Sequence, residues 1–571
     1  MTLENNRNMI LAIVLSALVL FGWSFLSERF FPTANPPATQ IVDGKQVPVP
    51  SAAGSPVSNT PAALRDRALV LGETPRVKID TPALSGSINL KGARIDDLTL
   101  TRYRETIKKD SPPIRLLSPA GSKESYLAGF GWTGQGLAAP TADTIWTASA
   151  PALTPATPVT LSWDNGQGQR FDINLAVDKD YMFTVKQTVT NTGTGAVAAQ
   201  PFGFVSRHGV FKDPDSWTIH IGPMGVFNGS ANYDINFEDV DEAGNAGVQN
   251  SSKGGWLGFT DKYWLTALVP DQGTSMNGTF RVGSDKAYQA DFTTEAQIVQ
   301  PGKALSTTSR FFAGAKEVGV LDAYEDDLGI KQFDRGIDWG WFYWFEKPIF
   351  YLLDWLFRVF GNFGVAIIGL TLIIRLLMFP IAQKQFKSMA GMRAVQPKMK
   401  ALQERHKDDK PRLQQEMLKL YQQEKINPLA GCLPILLQIP IFYALYKVLL
   451  LTIEMRHQPF ALWIKDLSAP DPLTPVNLFG LLNFTPPSMI ALGVLPILLG
   501  ISMWLQFKLN PAPADPVQQQ VFGIMPWVFM FIMAPFAAGL QLYWLTNNIL
   551  SIAQQKWLYS RHPALSQAEA K

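Results

Sequence analysis

The stretch "TLIIRLLMFP", Thr371 to Pro380, places one arginine inside an apolar run that begins near Phe363 and ends near Ile381. A run of that length crosses a bilayer as a helix. An arginine near its middle costs about 2.5 to 3.5 kcal/mol on insertion scales, so such a charge ordinarily faces a partner or a wet cavity. Snorkelling is the competing reading. Arg375 lies nine residues before Lys384, about 13 Å deeper by helical rise, and its long stem reaches partway back to the interface.

Outward from this run the 571-residue chain falls into two unlike halves, which its 47% hydrophobic and 17% charged content averages away. From about Pro32 to Lys331 it is polar and rich in Gly, Thr, Asp and Asn; from Trp339 to Leu558 it holds several apolar stretches of bilayer-crossing length. The pattern is that of a membrane protein with one large soluble domain. A net charge of +3 gives no nucleic-acid signal, and no nucleic-acid motif is read. The single cysteine, Cys432, excludes an internal disulfide framework. Its "PLAGCLP" context mimics a lipoprotein box, but such a box follows a short N-terminal signal, so Cys432 reads as a small buried apolar residue.

After a cytoplasmic N-terminus (1–8), residues 9–26 read as a retained signal anchor, because "SERFFP" beyond them lacks a small-x-small cleavage site. Residues 27–68, rich in Pro, Ala and Ser, read as a disordered linker. Residues 69–335 alternate in short runs such as "FDINLAVDKDYMFTVKQTVTNTG" and predict an antiparallel β-sandwich. Residues 336–361 predict an amphipathic helix lying in the membrane interface, with Tyr351, Asp354 and Arg358 on one face. Five spans follow, at 362–381, 429–453, 488–507, 520–535 and 537–558, which with the anchor make six. Residues 454–487 and 508–519 connect them, and 559–571 form a tail.

The connection 382–428 fixes the orientation. From Ile381 to Lys425 it carries eleven Lys and Arg against five Asp and Glu, which places it in the cytoplasm and the β-domain outside. Met389, Met392, Val395, Met399 and Leu402 recur at helical spacing, as do Leu413, Met417 and Leu420, so the segment predicts a helical hairpin that turns at Asp408 to Pro411. One reading has it packed on itself. The other makes it a mobile, Met-lined surface for polypeptide or ribosome.

None of the five C-terminal spans contains an Asp or Glu to pair with Arg375. Neutral polar residues do lie at compatible depths. Asn547 precedes Lys556 by nine positions, the same offset as Arg375 from Lys384. Gln541, Trp544 and Asn548 repeat at helical spacing, Gln438 and Gln506 lie in other spans, and Thr371 sits one turn before Arg375. Each alone reads as an interhelical hydrogen bond. Together with an unpaired guanidinium, which cannot lose its charge, they suggest a hydrated concavity whose counter-charge is water, a lipid headgroup or a visitor.

"TLIIRLLMFP", "SMAGMRAVQPKMKALQER", "NPLAGCLPILLQIPIFYALY", "PFALWIKDLSAPDP", "DPVQQQ" and "GLQLYWLTNNILSIAQQ" resemble the signature stretches of the YidC-type membrane protein insertases of the Oxa superfamily, over about Glu346 to Tyr559. The anchor and large β-domain resemble the Gram-negative form. The resemblance implies a multi-pass inner-membrane protein with both termini cytoplasmic, a periplasmic β-supersandwich and five helices around a hydrophilic groove. It implies that Arg375 is the groove arginine, with Thr371, Gln438, Gln506, Tyr543, Trp544 and Asn547 in groove or client-contacting positions; some relatives carry Tyr where this chain has Trp544. It implies nascent membrane proteins, the lipid bilayer, the Sec translocon and the ribosome as partners, and neither catalysis nor any cofactor or metal. Two other classes are weighed. An anion transporter would use Arg375 as its substrate site but calls for inverted repeats or broken helices. A carbohydrate enzyme in the β-domain would rest on His208 and His220.

Overall fold

The computed structural model describes residues 39–42, 45–48, 65–210, 219–283, 286–406, 409–424, 433–482, 484, 486, 491–509 and 516–560, with the backbone alone in parts of these, including 384–394 and 433–437. The expected anchor, Cys432 and residues 561–571 of the tail lie outside the described residues.

Between residues 39 and 48 the chain departs from the expected disordered linker. Thr39–Val42 pairs antiparallel with Lys45–Pro48, in register from Val42 opposite Lys45. Asp43-Gly44, the pair favoured in two-residue hairpin loops, lies between them in the sequence. A composition argument averages over that local signal.

The β-domain consists of a nine-stranded and an eleven-stranded sheet. Alternation builds them: Gln169–Val177 buries every second residue, the period-two pattern of a strand with one face on a core. Met182–Asn191 sits between Gln169–Val177 and Ala304–Ala315 in one sheet, and Val197–His208 between Tyr126–Thr133 and Ala287–Thr294 in the other. Among the described strand pairs only Arg76–Asp80 with Ala152–Leu153 is parallel, apart from an isolated parallel bridge between Arg65 and Ser122. The inner faces meet through aromatic side chains, with Phe130 edge-on to Phe311 at 6.4 Å and Tyr126 edge-on to Phe259 at 6.5 Å. The two layers enclose one core, as the alternation predicted.

Three short helices accompany the sheets: α1 (Arg67–Gly72), α2 (Phe237–Ala243) and α3 (Val318–Leu328). The chain then turns through Phe333–Gly336 and Gly340–Phe342 into α4, Tyr343–Phe360. Lys347 of α4 reaches Asp322 and Asp334, each at 2.8 Å, and so fastens the helix to the β-domain. One side of α4 buries Ile349, Phe350, Leu353 and Leu356, while Trp344, Tyr351, Trp355 and Phe360, with Trp341 just before the helix, stay exposed. Exposed aromatics beside a membrane segment are what the interfacial zone accommodates. On the face read from sequence, Arg358 pairs with Asp354 at 2.7 Å and the Tyr351 hydroxyl donates to Asp322.

Six further α-helices follow among the described residues: α5 (Phe363–Arg405), α6 (Lys410–Gln423), α7 (Leu433–Leu451), α8 (Val494–Leu509), α9 (Pro516–Met533) and α10 (Ala538–Ser560). Among the described residues only Phe363–Gln383 is both long and apolar enough to cross a membrane on those criteria alone; Gln438–Leu451, Val494–Leu509 and Gln519–Met533 are shorter apolar helices. α5 continues unbroken through Pro380 and Pro397 into the basic segment, so the candidate span and the first helix of the hairpin are one helix. Gly364 lets α5 approach the loop after α7, since a Cβ there would fall 2.0 Å from the Phe460 ring. α8 begins at Val494, later than the expected 488, and the reason is local. Asp471 accepts from Leu495 N at 2.7 Å, Trp463 Nε1 at 2.9 Å and Leu473 N at 3.0 Å, so a carboxylate from the preceding loop closes the helix start.

The basic hairpin packs on itself. Val395, Met399 and Leu420 are buried together, with Leu402, Met417 and Tyr421 against them, and the Tyr421 hydroxyl lies 3.7 Å from Met399 Sδ. Asp409 caps α6 through Arg412 N. Met389 and Met392 belong to α5, but their side chains lie outside the described residues.

Candidate functional site

Asn362 fixes the start of α5: its side-chain oxygen accepts from Val365 N at 3.1 Å and its amide donates to Phe460 O at 2.9 Å. Three turns on, Arg375 points across to α10. Its Nε donates to Asn547 Oδ1 at 2.8 Å and its Nη2 to Asn547 O at 3.1 Å and to Ser551 Oγ. Among the described residues no carboxylate stands within ion-pair distance of the guanidinium. Neutral oxygens orient it, and no negative charge cancels it. Arg375 is half-buried, and the following Leu376 and Leu377 are largely exposed, so the arginine borders the outer face of the bundle.

The other candidates have separate settings. Thr371 is buried and donates to Ile367 O of its own helix at 2.7 Å. Gln438 on α7 donates to the Tyr543 hydroxyl on α10 at 2.7 Å. Trp544 is held edge-on between Phe442 and Phe529, each with ring centroids at 4.4 Å, and so joins α7, α9 and α10. Gln506 is half-buried one turn beyond Ser502, whose hydroxyl receives the Asn548 amide at 3.0 Å. Gln541, fully buried, donates to the carbonyls of Met533 and Phe536 at 2.9 and 2.8 Å, closing the C-terminal end of α9. The arginine and Asn547 thus come together, the glutamine and Tyr543 form a second link, and Trp544 and Thr371 are packed.

Sequence reading passed over two participants. Ser551 lies one turn after Asn547 on α10, and the i, i+4 spacing was the available signal. Lys447, inside α7, is 2% exposed and donates to Asp338 O at 2.9 Å, with Asp338 Oδ2 at 3.7 Å. Glu346 of α4 is fully buried nearby, and neither carboxyl oxygen has a hydrogen-bond partner among the described residues. Burial pushes its pKa up to about 8 against the pull of Lys447, with Asp338 adding to the rise. Glu454, just past α7, accepts from Val318 N at 2.9 Å; burial pushes it up to about 7 while that bond pulls it down. In the β-domain, burial holds His220 below the ordinary imidazole range, and its Nε2 lies 2.7 Å from Pro223 O. That leaves little for acid-base chemistry with His208.

A family model for the YidC periplasmic domain matches residues 76–352, and one for the 60Kd inner membrane protein matches residues 355–565. The membrane protein insertase YidC of Zymomonas mobilis is 53% identical over 98% of this chain and 96% of its own length. That of Methylobacterium nodulans is 47% identical over the same shares. A crystal structure of an active YidC insertase with its first transmembrane domain resolved matches 84% of this chain and 92% of its own, at 18% identity and a TM-score of 0.37.

Proposed function

The chain belongs to the YidC family of membrane protein insertases, and we propose that it passes its clients along a polar groove centred on Arg375. It is an inner-membrane protein with a periplasmic domain that inserts proteins into that membrane without enzymatic chemistry. In this reading the bundle has six spans counting the anchor, both termini face the cytoplasm, and residues 454–487 face the periplasm.

The observation that carries the reading is the neutral setting of Arg375. Asn547 and Ser551 hold the guanidinium in a fixed direction while leaving its full charge in place. An acidic or polar stretch of a nascent chain supplies the missing negative charge for a moment. Attraction in a half-wet site is moderate, so the client is released; a fully dry carboxylate pair would hold it far more tightly. The apolar part of the client then moves into lipid along α7 and α9, driven by burial at ~25 cal/mol per Å². Gln438, Gln506 and Trp544 border the path, with the buried Tyr543 and Thr371 packed behind. The Sec translocon stands beside this route for some clients, and the basic hairpin meets the ribosome through its outer faces, with Met389 and Met392 on α5, while Met399 and Met417 hold its two helices together.

Arg375→Ala tests the route. Insertion of clients with acidic translocated tails falls by roughly tenfold, the equivalent of one lost charge-assisted contact of about 1.5 kcal/mol, and Arg375→Lys restores most of it. Equal insertion of such clients by the alanine variant, at equal protein level in the membrane, rejects the proposal.

A further inference from the structure

A cleft of about 630 Å³ opens where the β-domain meets the loop that follows α7. Six cations line it: Arg102, Arg104, Lys108 and Lys109 from the β-domain and Arg456 and Lys465 from the loop. Arg102 pairs with Asp180 at 2.8 Å and lies 3.7 Å from Glu317. Among the described residues the other five make no ion pair within 4.0 Å. Arg456 ties the two walls together, donating to Arg104 O at 2.8 Å and Glu105 O at 3.3 Å beside the Trp264 ring. The lysines have no such structural duty and are exposed.

The surroundings identify the anion. The cleft begins with Ile453, directly after α7 ends at Leu451, and so sits at the outer surface of the membrane. One exposed apolar tip lines it and another stands in the loop that supplies Lys465. Ile107, beside Lys108 and Lys109, is 53% exposed; Leu462, three residues before Lys465, is 81% exposed and held at φ 56, a conformation leucine rarely adopts. A free phosphate ion has no use for exposed apolar tips. Basic residues beside exposed aliphatic ones make the surface that meets an anionic bilayer, heads to cations and chains to side chains.

We infer that this cleft binds the phosphodiester headgroup of an anionic phospholipid of the periplasmic leaflet, with Ile107 and Leu462 against its acyl chains. The inference is independent of the client route.

The test uses the full chain in detergent, titrated with dioleoylphosphatidylglycerol or dioleoylphosphatidylcholine and read by native mass spectrometry. The wild type retains the anionic lipid preferentially. Lys108→Gln/Lys109→Gln/Lys465→Gln, with an unchanged melting curve, loses that preference by about fivefold per lysine, the factor one basic residue contributes at an anionic surface. Lys465→Gln alone gives a smaller loss of the same sign. Equal retention of phosphatidylglycerol by wild type and triple variant overturns the inference. So does inorganic phosphate that raises the melting temperature of the wild type but not of the variant while lipid retention stays the same, since the cleft would then serve a free anion.

Discussion

Lys447 and Arg375, two cations of the helical bundle, are treated in opposite ways. Lys447, at the end of α7 that meets the β-domain, is sealed from solvent against Asp338 and beside the buried Glu346. Arg375, in the other half of the bundle, is half-buried and answered by an amide oxygen, a carbonyl and a hydroxyl. A charge matched by a carboxylate and a carbonyl is a fixed joint between parts of a structure. A charge matched by neutral dipoles keeps its net field and remains available to a visitor. The contrast separates a closed periplasmic end, where α4, α7 and the β-domain are bolted together, from a part of the bundle where charge is deliberately left uncancelled.

The largest effect that would break this contrast is on Lys447. Replacing it with methionine leaves the Asp338 carboxylate without its cation, and removing one partner of a buried charge pair costs about 3 to 5 kcal/mol. Lys447→Met should therefore melt well below the wild type in detergent. Arg375→Met, which strands no carboxylate, should melt close to it. Thermal unfolding of both full-length variants decides the matter, and indistinguishable melting curves would mean that the two cations do not differ in kind.

Lys447 also shows where sequence reading stops. The β-sandwich was legible because its strands alternate with period two, and Asn547 was legible because its offset from Lys556 matched that of Arg375 from Lys384. Both signals are local or depend on depth alone. Lys447 lies in an apolar run, while its partners Asp338 and Glu346 are about a hundred positions earlier, and nothing in the run announces them. The start of α8 escaped for the same reason, since Asp471, which closes it, stands 24 residues before Leu495. The methionine pattern of the hairpin was visible, but periodicity does not say what covers a helix face. The structure turns Met399 and Met417 toward the partner helix.

A second way to sharpen the comparison is pH. Glu346 and Glu454 have folded-state pKa values pushed from the ordinary 4.5 up to about 8 and about 7. Between the two limits the folded chain holds protons that the unfolded chain releases, so stability is greatest near pH 5 and falls as pH rises toward 8. Melting temperature measured across that window should decline. Glu346→Gln, which fixes the neutral form, should flatten the decline and leave a residue of it from Glu454. A wild-type profile that rises with pH would show that the closed end is not built on protonated carboxyls.

The smallest effects concern the neutral ligands themselves. Single hydrogen bonds between membrane helices contribute about 0.6 kcal/mol on average, so Asn547→Ala and Tyr543→Phe should both melt nearly like the wild type. Their functional consequences should differ. Asn547→Ala takes away the oxygen that directs Arg375 Nε and leaves the guanidinium to Ser551 and one carbonyl. Tyr543→Phe breaks only the link to Gln438 and leaves the arginine's ligands in place. Insertion of clients with acidic tails should drop in the first variant and hold in the second, measured side by side at matched membrane levels. If both variants insert equally well, directing the charge is immaterial and only its presence counts.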